Sequence, residues 1–291
     1  MIRNCPNSSC QTSSSQSKIR SDGFYFRKSD SRQIQRFRCS LCGKRFSSAT
    51  HSLAYYQKKR RVNFPLFKLL ASGVSMRRCA KILNIHRITV KRKLHFLAQK
   101  ARLDQARLLR LLQSDRVLEM QFDDLITSHH SKLKPLSISA AVDANRRYIL
   151  GAEVSVIPAF GHLAELSRKK YGRRKSQHKK GLQKLFGSIQ NCIDQNALIK
   201  SDEHKTYPEF VSRHFPKATY QRYKGGRGCV VGQGELKKLH YDPLFALNHS
   251  FAMMRANINR LFRRTWCTTK DPQMLKKHLD IYISYHNNYL I

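Results

Sequence analysis

The stretch VLEMQFDDLIT, residues 117–127, decides how the second half of this chain reads. It has the period of a strand, and it carries two acids, Asp123 and Asp124, in its interior. An acid inside a strand needs a reason; an acid at a strand end often does not. Two more strand candidates follow across short polar turns, LSISAAVDA (136–144) and RYILGAEVSVI (147–157), with Asn145-Arg146 marking the second turn. A basic stretch, LSRKKYGRRKSQHKK (166–180), reads as a loop, and GLQKLFGSIQNCI (181–193) as an amphipathic helix. A strand, ALIKSD, ends at Asp202, a helix starts near Tyr207-Pro208, and a short strand TYQRY leads into the glycine-rich KGGRGCVVGQG (224–234). That glycine loop lacks the pattern of a phosphate-binding P-loop and reads as a connection. Two helices, DPLFALNHSFAMMRANINRLF (242–262) and PQMLKKHLDIYISYHNN (272–288), close the chain. Three hairpin-connected strands followed by alternating helices and strands describe an α/β mixed sheet with helices on its faces, over residues 116–291.

Upstream, over residues 51–115, the period is helical. Val62, Phe64, Leu66, Phe67, Leu69 and Leu70 form an apolar face that stops at Gly73. Ser75 can cap a second helix, MRRCAKIL, with Cys79, Ala80, Ile82 and Leu83 inward. Asn84-Ile85 makes a short turn, and a third helix starts near Arg87 with Ile88, Val90, Leu94 and Leu97 inward. Its outer face carries His86, Arg87, Thr89, Lys91, Arg92 and Lys93. This is a helix-turn-helix pattern with a basic recognition helix, continued by a linker helix over 98–114. The alternative is a three-helix bundle with a solvated basic face.

Residues 1–50 carry cysteines in two pairs, Cys5/Cys10 and Cys39/Cys42, the second inside RFRCSLCGKRF (36–46). Two short turns bearing paired thiolates can supply a four-sulfur site for structural Zn²⁺, here on a ribbon with a hairpin in GFYFRKSDSRQIQRFRC (23–39). Cys79, Cys192, Cys229 and Cys267 stand singly and read as small buried residues.

The 291 residues hold 56 Lys+Arg against 18 Asp+Glu, a formal net charge of +38, and hydrophobic residues make up 41%. A folded interior is therefore within reach, and wholesale disorder is excluded as a reading. A charge of this size suits phosphate binding, with ribosomal or membrane-surface roles as the alternatives. Only Asp22, Asp30, Asp104 and Asp115 precede residue 117, so the acids concentrate in the second half. No apolar run approaches the roughly 20 residues that span a bilayer, and MIRNCPNSSCQTSSS lacks the apolar stretch of a secretory signal. The expectation is a cytoplasmic chain with no membrane partner.

Asp123 inside the first strand and Asp202 at the end of the fourth place carboxylates where adjacent strands can share divalent metals. Oxygen ligands of this kind suit Mg²⁺ or Mn²⁺, which activate a water or a 3′-hydroxyl at a phosphodiester.

CSLCGKRF, GVSMRRCAKILNIHRITVKRKL (73–94), QFDDLIT, KSDEHKTY (200–207) and LNHSFAMMRANINRLFRRTWCTTKDPQMLKKHLDIYISYHN (247–287) occur in an order that covers most of the chain. In this order the chain resembles the DDE transposases of bacterial insertion sequences, in the group with a zinc ribbon, a helix-turn-helix and an RNase H-like catalytic domain. The resemblance implies that Asp123 is the first catalytic carboxylate, with Asp124 as its neighbour on the opposite face, and Asp202 the second. The family's third position is an acid on the helix containing Arg255; here the helix start reads Ala246-Leu247-Asn248-His249. His249 with Asn248 beside it, Glu235 or Asp242, or no ligand at all remain open for that place. The resemblance further implies that Arg255, Arg260, Arg263 and Arg264 line a DNA channel, with Trp266 packed inward behind them. It implies double-stranded DNA as partner (terminal inverted repeats and target), a homodimer or higher oligomer on DNA, and a bacterial, nucleoid-associated location. A non-catalytic DNA-binding regulator and an RNA-binding ribosome-associated protein are the alternatives.

Overall fold

The computed structural model describes residues 4–10, 18–224, 242–262 and 265–291. The Ser/Gln-rich loop 11–17, the glycine-rich stretch from Gly225 with Cys229 and Glu235, and Arg263 and Arg264 lie outside the described residues. The chain divides into two compact units, Met1–Leu66 and Phe67–Ile291, so the boundaries expected near residues 50 and 115 each fall inside a unit.

In the first unit β1 (Ile19–Arg27), β2 (Arg32–Cys39) and β3 (Arg45–Ser47) form an antiparallel sheet in that order. Phe37 and Phe46 pair across β2 and β3 with ring centroids 5.6 Å apart, and both are buried. Cross-strand aromatic pairs of this kind stabilise a sheet too small for a deep core. The tight β1–β2 turn is tied by the Arg27–Asp30 ion pair at 2.6 Å, with Ser31 in the left-handed region.

α1 (Asn63–Ala71) begins in the first unit and ends in the second, where α2 (Met76–Ile82) follows, whose cap Ser75 accepts a hydrogen bond from the Arg78 N–H. Asn84, at positive φ, turns the chain into α3 (Arg87–Leu111), a single helix of 25 residues that absorbs the expected linker. Its buried stripe is Val90, Lys93, Leu94, Leu97, Ala98 and Ala101, a spacing of three and four residues throughout. Two expectations are thereby corrected. Lys93, placed outside on its charge, is 3% exposed, because its position lies on the stripe and its long stem can be buried there. Ile88, placed inside on its hydrophobicity, is exposed, because it stands two residues, about half a turn, from Val90. Ile82 and Phe64 are exposed for the same kind of reason.

The sheet that follows has the strand order β6-β5-β4-β7-β8. β4 (Val117–His129), β5 (Ser131–Asp143) and β6 (Ile149–Val156) run as an antiparallel meander. α4 (Leu163–Tyr171) runs into the basic stretch read as a loop, and α5 (His178–Ile189) begins three residues earlier than its apolar pattern indicated. β7 (Ile193–Asp202) lies parallel to β4, and after α6 (Tyr207–His214), β8 (Thr219–Tyr223) lies parallel to β7. α7 (Phe245–Asn257) and α8 (Pro272–Tyr285) complete the unit.

Both faces of the sheet are covered. Phe122, Leu182, Phe186, Ile199 and Tyr207 pack on the side of α5 and α6, while Leu125, Ile138, Leu247, Leu275 and Leu279 pack on the side of α7 and α8. This explains why Leu136 to Asp143 in central β5 are all buried rather than alternately so. α3 is stitched to the same body. Gln105 Nε2 donates to the carbonyls of Ile149 and Leu150 on β6, and Arg102 pairs with Asp280 of α8 at 3.0 Å.

Candidate active site and metal centre

Alternation along β4 puts Glu119, Gln121, Asp123 and Leu125 on one face and Phe122 and Asp124 on the other. In parallel register Gln121 stands opposite Lys200, and two residues further along each strand stand Asp123 and Asp202. Residues level with one another on parallel strands share a face, so the two carboxylates are brought together. The sheet face below them is occupied by charge pairing and hydrogen bonds. Lys200 Nζ bonds Glu119 Oε1 at 2.7 Å, while the Gln121 amide donates to Pro243 O and accepts from Leu247 N. Gln121 thereby fixes the start of α7 two residues below Asp123.

Asp123 Oδ1 accepts from the Asp124 N–H at 2.6 Å and from the Tyr207 hydroxyl at 3.2 Å. Burial, then the charge of Asp202, pushes its carboxyl up to about 7, even though both hydrogen-bond donors act the other way. Asp202 Oδ1 accepts from the His204 N–H, which turns the chain out of β7 toward α6.

Asp124 points to the opposite face and is held there. His178 Nε2, at the start of α5, lies 2.5 Å from Asp124 Oδ2, and Ser139, directly across on β5, donates to Oδ1 at 2.5 Å. Burial alone would raise this carboxyl; the His178 contact and charge, with the serine hydroxyls, outweigh it and hold it below the usual range. His204 and Tyr207 complete an aromatic cluster, with the His178 and His204 rings 4.9 Å apart and His204 and Tyr207 4.8 Å apart. Sequence reading missed His178, His204, Tyr207, Gln121 and Ser139. One usable signal was that Asp124, inside a covered strand, requires a partner, and a histidine opening an amphipathic helix can supply one.

At the expected third position the structure separates two neighbours. Asn248 Nδ2 donates to Asp242 Oδ2 at 2.9 Å, and Asp242 Oδ1 caps the Leu244 N–H, so a carboxylate is held beside Asn248. His249 is exposed and sits against Phe245, within reach of the field of His286. One helical step separates the two residues, and the buried positions Ala246, Leu247, Ser250 and Phe251 fix which of them faces out. The structure does not gather His249 with Asp123 and Asp202: among the described residues, the cysteines make the one group of three or more ligand side chains close enough to share an ion.

Arg255 lies in α7, but the helix stops at Asn257, and Arg260 belongs to a separate turn, Asn259–Leu261. The single helix expected over 242–262 is therefore interrupted after Asn257. Trp266, expected inside, is 76% exposed, because Cys267 next to it takes the inward place. In the basic helix α3, Arg87, Lys91 and Arg92 are exposed and Thr89 is half-buried.

In the first unit the Sγ atoms of Cys5, Cys10, Cys39 and Cys42 all lie within 4.8 Å of one another, with Cys5–Cys42 at 3.5 Å and Cys10–Cys39 at 3.7 Å. A tetrahedron of thiolates about 2.3 Å from a zinc ion has edges of about 3.8 Å, so the donor set fits such a metal. Gly43, at φ 67°, donates to Cys39 O, and Cys39 N–H donates to Lys44 O, which folds the second turn so that both of its thiols point the same way. The Lys44 N–H lowers the Cys42 thiol, while burial raises Cys5 to about 11. Cys79, Cys192 and Cys267 are buried singly. No helix among the described residues is long and apolar enough to cross a membrane. Comparison with known families and with characterised proteins found no family model and no relative that matches this chain.

Proposed function

We propose that this chain is a transposase of the DDE type, in which residues 116–291 form an RNase H-like domain cutting and joining DNA strands with Mg²⁺ or Mn²⁺. The observation that carries the reading is the placement of Asp123 and Asp202 two residues beyond the paired Gln121 and Lys200 of adjacent parallel strands, with Asp123 raised to about 7 by burial and by the charge of Asp202. Two carboxylates crowded in this way are poorly stable as a pair of anions and well matched to a divalent cation. The order β6-β5-β4-β7-β8, antiparallel then parallel, with helices on both faces, supports the fold reading.

The chain's own residues would act as follows. Asp123 and Asp202 would hold the cation between them, and among the described residues no third ligand side chain is gathered with the pair. Such an ion supplies charge neutralisation at the scissile phosphate and a nucleophilic oxygen at neutral pH. Tyr207 fixes the orientation of Asp123 by donating to Oδ1, leaving Oδ2 for the cation. Asp124, engaged by His178 and Ser139 on the other face, stays out of the cation's way.

DNA recognition falls to α2 and α3 as a helix-turn-helix, with Ser75 as cap and Arg87, Lys91 and Arg92 on the exposed first turns. The cleft formed by Arg168, Arg173, Arg174 and Lys175 has the charge of a phosphate clamp. The zinc ribbon would add contacts to the terminal inverted repeats, and handling two ends requires at least a dimer.

The test is strand cleavage and joining on a labelled duplex carrying the repeat that flanks the coding sequence, with Mg²⁺ or Mn²⁺. Products should vanish in Asp123→Asn and Asp202→Asn, and their loss in His249→Ala or in Asp242→Asn would assign the third ligand. Repeat-specific binding without cleavage under either metal would replace this reading with that of a DNA-binding regulator.

A further inference from the structure

A cleft of about 710 Å³ opens in the second unit between the α1–α2 turn and the segment joining α7 to α8. Its lining includes Arg77, Arg78, Arg260 and Lys270 and, among the described residues, no acidic side chain. Asp271, whose charge acts on Arg260, is engaged in capping α8 through the Gln273 N–H. Two polar atoms inside the cleft are buried without a partner, Arg260 Nε and His278 Nε2, and the His278 side chain is only 4% exposed. Burial, then the charge of Arg260, pushes the His278 imidazole down to about 3, so it offers a hydrogen bond rather than a charge. At the rim stands Trp266, 76% exposed, with a large aromatic face that packs against no core.

We infer that this cleft is a binding site for an unpaired nucleotide, whose base stacks on Trp266 and whose phosphates are held by Arg77, Arg78 and Lys270. Inside a duplex both faces of every base are covered by its neighbours, so the ligand must be a nucleotide outside the stack, at a strand end or in a single strand. Arg260 and His278 meet its polar edge, which gives their unpaired atoms a partner. The volume lies within the usual range of small-ligand sites, about 300–1,000 Å³. The backbone of the cleft is fixed in place: Gly73 N–H donates to Asn257 O at 2.7 Å and Asn259 Nδ2 donates back to Gly73 O. The inference needs neither the carboxylate pair nor strand transfer, and a failed cleavage assay leaves it standing.

Trp266 is the chain's one tryptophan, so its emission reports this cleft alone. The full chain is titrated at low salt with a short oligothymidylate and with an abasic strand of equal length. The expected result is saturable quenching by the base-bearing strand and little by the abasic one, although both bind through their phosphates. With binding of every variant read from the anisotropy of dye-labelled strands, Trp266→Ala should weaken the base-bearing strand about tenfold, leave the abasic strand unaffected, and be partly rescued by Trp266→Phe. Arg77→Ala should weaken both strands alike and reduce their salt dependence. DNA and RNA strands of one sequence are compared, and the stronger quencher identifies the source of the nucleotide. Equal quenching by base-bearing and abasic strands, or none by either, overturns the assignment. Trp266 is exposed, so its variants should melt with the wild type, and matching melts confirm that the comparison is of binding.

Discussion

His178 Nε2 lies 2.5 Å from Asp124 Oδ2 on the far side of β4, so the residue next to Asp123 is gripped from below while Asp123 faces the opposite side. Both side chains are largely buried. Removing one partner leaves the other charge or dipole desolvated without compensation, which costs more than the pair itself contributes. His178→Ala should therefore lose about 2–4 kcal/mol in chemical denaturation, and His178→Gln should recover part of it. A loss below about 0.5 kcal/mol would show that the contact carries no weight.

Asp123 sets a pH dependence of definite sign. In the unfolded chain its carboxyl ionises near 3.8, in the folded chain near 7. Between those values the folded state holds the extra proton, so this group's stabilising contribution is complete in acid and is lost as pH rises to about 7. Asp123→Asn keeps the acceptor for Tyr207 and Asp124 and abolishes the penalty. It should raise stability at pH 8 by about 1–3 kcal/mol and flatten the profile over the same window. A variant melting in parallel with the wild type at every pH would refute this.

Divalent cation should substitute for the proton. Millimolar Mn²⁺ or Mg²⁺ is expected to raise the Tm of the wild type at pH 8 and to leave Asp123→Asn and Asp202→Asn unmoved. Equal shifts in all three proteins would place the ion elsewhere.

The four-cysteine centre should hold its small sheet together. Zinc is expected to accompany the purified chain and to be lost in Cys39→Ser. Amide exchange across β1–β3 should accelerate in that variant while exchange in β4–β8 is unchanged. Absence of metal, with exchange indifferent to chelators, would exclude the site.

Gly73 sits at φ 73°, and a Cβ there would come 2.8 Å from Phe262 Cζ and 3.2 Å from Ala256 O. Gly73→Ala should cost about 1–3 kcal/mol, from backbone strain and overpacking together. Phe262→Leu in the same chain should restore part of the loss by thermal melting.

The sheet was legible because its strands are. VLEMQFDDLIT, LSISAAVDA and TYQRY carry period and β-branched or aromatic content locally, and Ser75 announces a helix start by its side chain alone. What sequence could not reveal depends on contacts distant along the chain. Whether Lys93 or Ile88 goes inside is set by the angular position of the stripe rather than by polarity. α4 hides in a run of cations because helix formation there shows no apolar period to the eye. The partners of Asp123 and Asp124 lie 84 residues away at Tyr207 and on α5, and the arrangement of Asn248 with Asp242 requires the fold of the α7 start.

α3 runs unbroken for 25 residues, about 38 Å, from exposed cations at one end to the Gln105 bonds on β6 near the other. With no hinge between them, the two ends are phased like marks on a rod. Adding one residue midway would turn the cationic end by about 100° and advance it by about 1.5 Å relative to the carboxylates, while each end could still fold. The length of this helix thus works as a gauge, fixing by residue count the distance and the angular phase between its cationic end and the Gln105 anchor on β6.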